Sequence, residues 1–211
     1  MTASKAPAKR RRNDPRTEST RLAIIECAER LFAEKGVVGV SLRQIGSEIG
    51  SSNNSVVAYH FGTKEGLLAA IFHHRLPAIE ARRAELLAAM VDDQNLRELL
   101  AVLWQPLYEQ RDADGRHSYA SFLAAITRSP LGIERLALNS DYPVTTQLGE
   151  RIRALLPDQL KPRFPERLQL IAILITGTLQ SIDQITTTTD AQQLFDDALS
   201  MAAVALIAPT R

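Results

Sequence analysis

Apolar residues in this chain return every three or four positions over nearly its whole length, and glycines cut the pattern into segments. A period near 3.6 lines apolar side chains along one face of an α-helix. Leu22, Ile25, Ala28 or Glu29, and Phe32, with Ile24 and Leu31 beside them, fit such a face. Asp14-Pro15 opens it with a cap residue and proline at the first helical position. Gly36 ends it, as a left-handed cap does. Ser41-Leu42-Arg43-Gln44 has the form of a capping box, with Leu42, Ile45 and Ile49 as the apolar side of a second helix that Gly50 closes. Ser51-Ser52-Asn53-Asn54 has the composition of a turn. A third short helix is expected over 54–61, with Val57 and Phe61 turned inward and Gly62 at its end. Thr63-Lys64-Glu65 starts a fourth through Leu67, Leu68, Ile71 and Phe72, with a kink expected at Pro77 and continuation to Met90.

Further helices are expected over about 96–111, 117–128, 131–156 with a break at Pro143, 164–186 and 190–207. No segment reads as a strand, so the fold class is all-α. The chain has 211 residues, 45% apolar and 23% charged, which suits a soluble protein with a real core. Its longest apolar stretch, Leu170 to Ile175, is far short of the roughly 20 residues that span a bilayer, and the N-terminus lacks a signal-peptide pattern. No membrane partner and a cytoplasmic location are expected. Cys27 is alone, which excludes an intramolecular disulfide or a thiolate metal cluster; a packed thiol in a reducing compartment is expected.

The net charge of +1 hides an asymmetry. Seven Lys and Arg against two acids give residues 1–21 five net positive charges, which leaves −4 on the rest. A disordered basic arm over 1–14, carrying Arg10, Arg11 and Arg12, suits an anionic partner through phosphate attraction or minor-groove insertion. Three short helices in about 45 residues bury their apolar faces on one another and leave one end of the third exposed. A helix-turn-helix puts that end in the major groove of DNA. Ser52, Asn53, Asn54, Ser55 and Val56 lie there: asparagine can bond adenine, serine can serve either base, and valine can meet a thymine methyl. Tyr59 and His60 lie further along, where side chains meet phosphate. Thr63 and Lys64, at a helix start, form one phosphate clamp; Ser41 and Arg43 offer a second.

The ordered set Ala33-Glu34-Lys35-Gly36, Ser41-Leu42-Arg43-Gln44-Ile45 and Tyr59-His60-Phe61-Gly62-Thr63-Lys64-Glu65-Gly66-Leu67-Leu68 resembles the N-terminal signature of the TetR family of regulators across about residues 17–72. Gly46 stands where that family usually has alanine, Ala58 where many members have tyrosine, and the stretch from Gly50 to Tyr59 is one residue longer than the commonest spacing. The resemblance implies a helix-turn-helix DNA-binding domain over 15–76. It also implies a larger helical domain over 77–211 that dimerises and binds a small-molecule effector.

For dimerisation, the stripes Leu168, Ile171, Ile175, Leu179, Ile182 and Leu194, Ala198, Met201, Ala205 are candidates for a four-helix interface, with an ordinary monomer core as the alternative. Trp104, Tyr108, Tyr119 and Phe122 are candidates for the walls of an effector pocket, or for plain core. His60, His73, His74 and His117 lack partners at metal-ligand spacing, so neither metal nor cofactor is expected. No phosphate loop, nucleophile elbow or catalytic pair points to an enzyme. The expected function is a homodimeric, ligand-responsive repressor on a palindromic operator. An activator of the same fold and a helical adaptor without DNA binding are the alternatives.

Overall fold

The computed structural model describes residues 15–53, 55–92, 94–129, 142–185 and 188–209. The expected basic arm with Arg10, Arg11 and Arg12, the candidate reader Asn54, and most of the first half of the helix expected over 131–156 lie outside the described residues. Among the described residues there is no strand, and nine α-helices follow in order. They are α1 (Pro15–Lys35), α2 (Leu42–Glu48), α3 (Val56–Phe61), α4 (Lys64–Ala89), α5 (Leu96–Glu109), α6 (Ser118–Thr127), α7 (Pro143–Ala154), α8 (Phe164–Ile182) and α9 (Thr188–Ile207). A 3-10 segment over Asp158–Arg163 precedes α8. It escaped the sequence reading because Asp, Lys and Pro residues carry no helical apolar period there.

The expected punctuation is present. Gly36, Gly50 and Gly62 have φ of 75°, 72° and 70°, the region where a Cβ is penalised. Ser41 and Gln44 close the capping box in both directions, at 3.2 and 2.9 Å. Helix α4 continues through Pro77, an exposed residue, so the expected boundary between residues 76 and 77 falls inside one unbroken helix.

One apolar core runs from Ile24 on α1 to Leu206 on α9. Within it α1 packs on α6 and α4, α5 on α4, α7 and α9, and α8 on α6 and α9. An aromatic cluster joins the first helices to the rest. The ring centroid of Phe122 lies 6.3 Å from that of Phe32 and 5.5 Å from that of Phe72, while Tyr119 meets Phe72 edge-on at 6.2 Å. Burying side chains of this size stabilises by about 1.5–3 kcal/mol each.

Polar groups then fix α4 in place. The buried Arg83 donates from Nε and Nη2 to the Leu103 carbonyl of α5, at 3.0 and 2.8 Å, and from Nη1 to Thr145 Oγ1 of α7. Burial pulls this guanidinium below its ordinary range, and Glu80 partly offsets that. Glu80 in turn accepts the Val144 backbone N–H at the start of α7 and the Thr145 hydroxyl.

Candidate nucleic-acid interface

Helix α3 is six residues long, too short to be stable alone, so its neighbours must hold it. Val57 anchors it, fully buried, with Val56 and Phe61 half-buried against the core. The Arg21 guanidinium of α1 lies over the Phe61 ring, 5.2 Å from its centroid. Sequence reading missed this contact because 40 positions separate the two residues and only the fold brings them together. What remains outward is polar and small: Ser52, Asn53 and Ser55 are exposed, and Tyr59 is 76% exposed. The Tyr59 and His60 rings meet edge to face at 5.3 Å, with His60 half-buried.

Hydrogen bonds in the turn before α3 lead into a helix that starts at Val56. Asn53 Oδ1 accepts the Ser55 backbone N–H at 2.9 Å, and Ser51 Oγ accepts the Asn53 N–H at 3.2 Å. Asn53 thus commits one of the two lone pairs of its Oδ1 to the turn, which fixes the side chain while the residue stays exposed. Ser55 makes no side-chain capping bond, so it stands at the helix start with its hydroxyl outward.

The flanking clamps are also partly occupied. Lys64 is half-buried, and its Nζ donates to the Val37 carbonyl at 3.0 Å, which ties the first turn of α4 to the loop after α1. An ammonium has three donors, so two stay available. Thr63 Oγ1 caps α4 by accepting the Gly66 N–H at 3.2 Å. Glu65 is held below the usual carboxylate range by its own backbone N–H and the Thr63 hydroxyl. On the other side, Ser41 is engaged in its capping box while Arg43 is exposed. Ser55 thus stands at the start of α3 and Tyr59 along it, Thr63 and Lys64 follow its C-terminal end, and Arg43 is exposed on α2.

The other candidates separate. Ile171, Ile175, Leu179, Ile182 and Ala198 lie in the protomer's own core, a correction to their reading as an interface: no partner reaches a side chain that its own chain covers. Leu168 and Leu194 are half-buried, and Met201 and Ala205 are exposed. The large apolar side chains that do face outward on α8 and α9 among the described residues are Leu170 (64%), Ile173 (50%), Met201 (61%), Val204 (69%) and, at the last position of α9, Ile207 (44%). The Arg167 guanidinium on α8 donates to the carbonyls of Ala205, Leu206 and Ala208, so the start of α8 lies beside the end of α9. That antiparallel pairing brings Leu170 and Ile173 alongside Val204 and Met201.

Of the four aromatic candidates, Tyr119 and Phe122 belong to the aromatic cluster and Tyr108 stacks on Phe195 at 4.6 Å. Trp104 is 8% exposed, and its Nε1 is buried without a hydrogen-bond partner. A cleft of about 590 Å³ lies elsewhere, between Arg30 and Glu34 of α1, the turn before α6, and Gln180 and Asp183 of α8. His117, which sequence spacing left without a carboxylate partner, has one from 66 residues away: its Nδ1 lies 2.5 Å from Asp183 Oδ1.

Comparison with known proteins agrees with this geometry. Residues 24–71, from mid-α1 into α4, match the family model described as bacterial regulatory proteins, tetR family. The chain is 33% identical over 88 residues to the HTH-type transcriptional repressor NicS of Pseudomonas putida, covering 41% of each chain. It is 39% identical over 69 residues to the HTH-type transcriptional repressor Rv3405c of Mycobacterium tuberculosis, covering 32% of this chain and 36% of that one. The matched region thus spans about two-fifths of these relatives or less. The crystal structure of the TetR family transcriptional regulator PfmR from Thermus thermophilus superposes with a TM-score of 0.50 at 18% identity, over 89% of this chain and 99% of that one. That likeness concerns the fold.

Proposed function

We propose, because this chain belongs to the tetR family of bacterial regulatory proteins, that it is a sequence-specific DNA-binding transcriptional repressor acting as a homodimer. The observation that carries the reading is the outward side of α3 and the turn before it, where Ser52 in the turn, Ser55 at the cap and Tyr59 on the helix are exposed while Val57 holds the helix from behind. Ser52, Ser55 and Val56 read base edges, while Arg43, Tyr59, His60, Thr63 and Lys64 meet phosphates. Asn53 shapes the turn and offers its amide NH2. By residue type, Asn54 serves as a further base reader and Arg10, Arg11 and Arg12 as a basic arm; all four lie outside the described residues.

The pair forms through the exposed apolar strip of Leu170, Ile173, Met201 and Val204, which two-fold symmetry makes self-complementary. Two reading helices then meet half-sites of a palindrome roughly 34–36 Å apart or a multiple of that. Repression follows from occlusion of a promoter; the repressor names of NicS and Rv3405c support that choice over activation. A small-molecule effector acts by favouring the arrangement in which the heads no longer match the operator. The unpartnered indole N–H of Trp104 supports an effector that carries a hydrogen-bond acceptor and docks at α5.

Selection of random duplexes by the purified chain at physiological salt tests the reading. A symmetric consensus is expected. Failure to enrich any duplex would refute it and leave a helical adaptor.

A further inference from the structure

We infer that Glu29 is a positioning residue that, through an ion-paired node at the start of α6, sets the angle at which the DNA-reading helices are held; this rests on the DNA reading above. Glu29 lies on the buried face of α1 and is 1% exposed, a costly place for a carboxylate unless several donors meet it. Three do. Arg75 of α4 grips it with Nε at 2.7 Å and Nη2 at 2.9 Å, and Ser118 Oγ, at the first position of α6, donates to it at 2.6 Å. Burial opposes the Arg75 charge, but hydrogen bonding to Glu29 and its negative charge outweigh that and raise the guanidinium above its ordinary range.

The residue before Ser118 is pinned from the opposite side. His117 is fully buried. Its Nε2 lies 3.0 Å from the Tyr108 carbonyl at the end of α5, and a carbonyl oxygen only accepts, so Nε2 carries a proton. Its Nδ1 and its backbone N–H both meet the Asp183 carboxylate at the end of α8, at 2.5 Å and 3.0 Å. Two consecutive residues therefore join α1 and α4 on one side to α5 and α8 on the other.

The chemistry favours orientation over cohesion. A buried ion pair adds little net stability compared with apolar residues of the same size. Cohesion at this seam comes from Phe32, Phe72 and Phe122, whose apolar faces tolerate small sliding. A bidentate guanidinium–carboxylate pair with a third directed hydrogen bond does not, because its strength depends on direction as well as distance. The node thus converts a slippery contact into a fixed angle between α1, α4 and α6. In a paired chain that angle fixes the separation of the two α3 helices.

The test uses the full chain and the palindrome recovered by duplex selection, together with versions whose central spacer is one base pair longer or shorter. Wild-type chain is expected to bind the altered spacers at least 10-fold more weakly. Ser118→Ala keeps the ion pair and the fold but frees one bond. It should lose threefold or more of that discrimination while its affinity for a single half-site stays within twofold, and Ser118→Thr should restore it. Glu29→Gln should lose more, provided its circular dichroism and unfolding remain cooperative. A purely structural node predicts equal weakening on all spacers, and that result, or an unchanged spacer penalty in Ser118→Ala and Glu29→Gln, overturns the inference alone. A wild-type chain that recovers no palindrome overturns the DNA reading and this inference together; one that binds all spacers equally overturns only the inference.

Discussion

Replacing Gly46 with alanine is expected to stabilise the protein. Gly46 sits in the interior of α2, buried, and is absent from the glycines with positive φ. A Cβ built there meets Val56 Cγ1 at 3.5 Å, Val57 Cγ2 at 3.8 Å and the Asn53 carbonyl oxygen at 3.9 Å, all ordinary van der Waals distances. Glycine in a helix interior costs about 0.8–1.0 kcal/mol relative to alanine, chiefly through the freedom of the unfolded chain. The added methyl, filling space between α2 and α3, contributes up to about 0.8 kcal/mol of burial. Together they give a gain of about 1–1.5 kcal/mol. For a chain of this size that raises Tm by about 2–6 °C. Thermal melts and urea titrations read it, with the midpoint rising at constant m. The added Cβ touches Val56, Val57 and the Asn53 carbonyl only at ordinary contact distance, so neither the turn nor α3 has to move and affinity for the selected duplex should stay within twofold. A lower midpoint would mean that α2 and α3 approach more closely than these distances state, and would refute the packing on which the reading helix depends.

The other predictions follow from individual contacts. Lys64→Ala should flatten the slope of log affinity against log salt by about one unit across all sequences; an unchanged slope assigns Lys64 to holding Val37 alone. Ile173→Glu should convert a dimer to a monomer in sedimentation with little change in unfolding. Ile175→Val, inside the protomer, should cost about 0.5–1.5 kcal/mol and leave association unchanged. Glu109 is held below its ordinary value of 4.5 by its hydrogen bond to Arg82. Its folded value is the depressed one, so the stabilisation is full above the unfolded value and disappears as pH falls through the folded one. The Tm advantage of wild type over Glu109→Gln should therefore be constant near neutrality and fade progressively once the pH falls below the ordinary value of 4.5.

What the sequence settled by itself was local. The caps at Ser41 and Thr63, the three left-handed glycines and the 3.6 period are decided within a few residues, because they concern which backbone groups a neighbour can satisfy. They place α1 to α4 and the exposed end of α3. The tertiary structure decided everything that depends on distant partners. Helices α8 and α9 carry apolar residues on several faces, and periodicity cannot say which face meets the chain's own core. Packing against α6 and α9 turned Ile171, Ile175 and Leu179 inward and left Leu170 and Ile173 outside. That the Asn53 oxygen also holds the turn by accepting the Ser55 N–H is likewise decided by the folded backbone. Glu29, one more acid on an amphipathic helix, becomes a buried ion-pair centre only when Arg75 and Ser118, 46 and 89 positions away, are folded onto it. Charge pairing in the interior depends on position in space, which sequence separation does not encode.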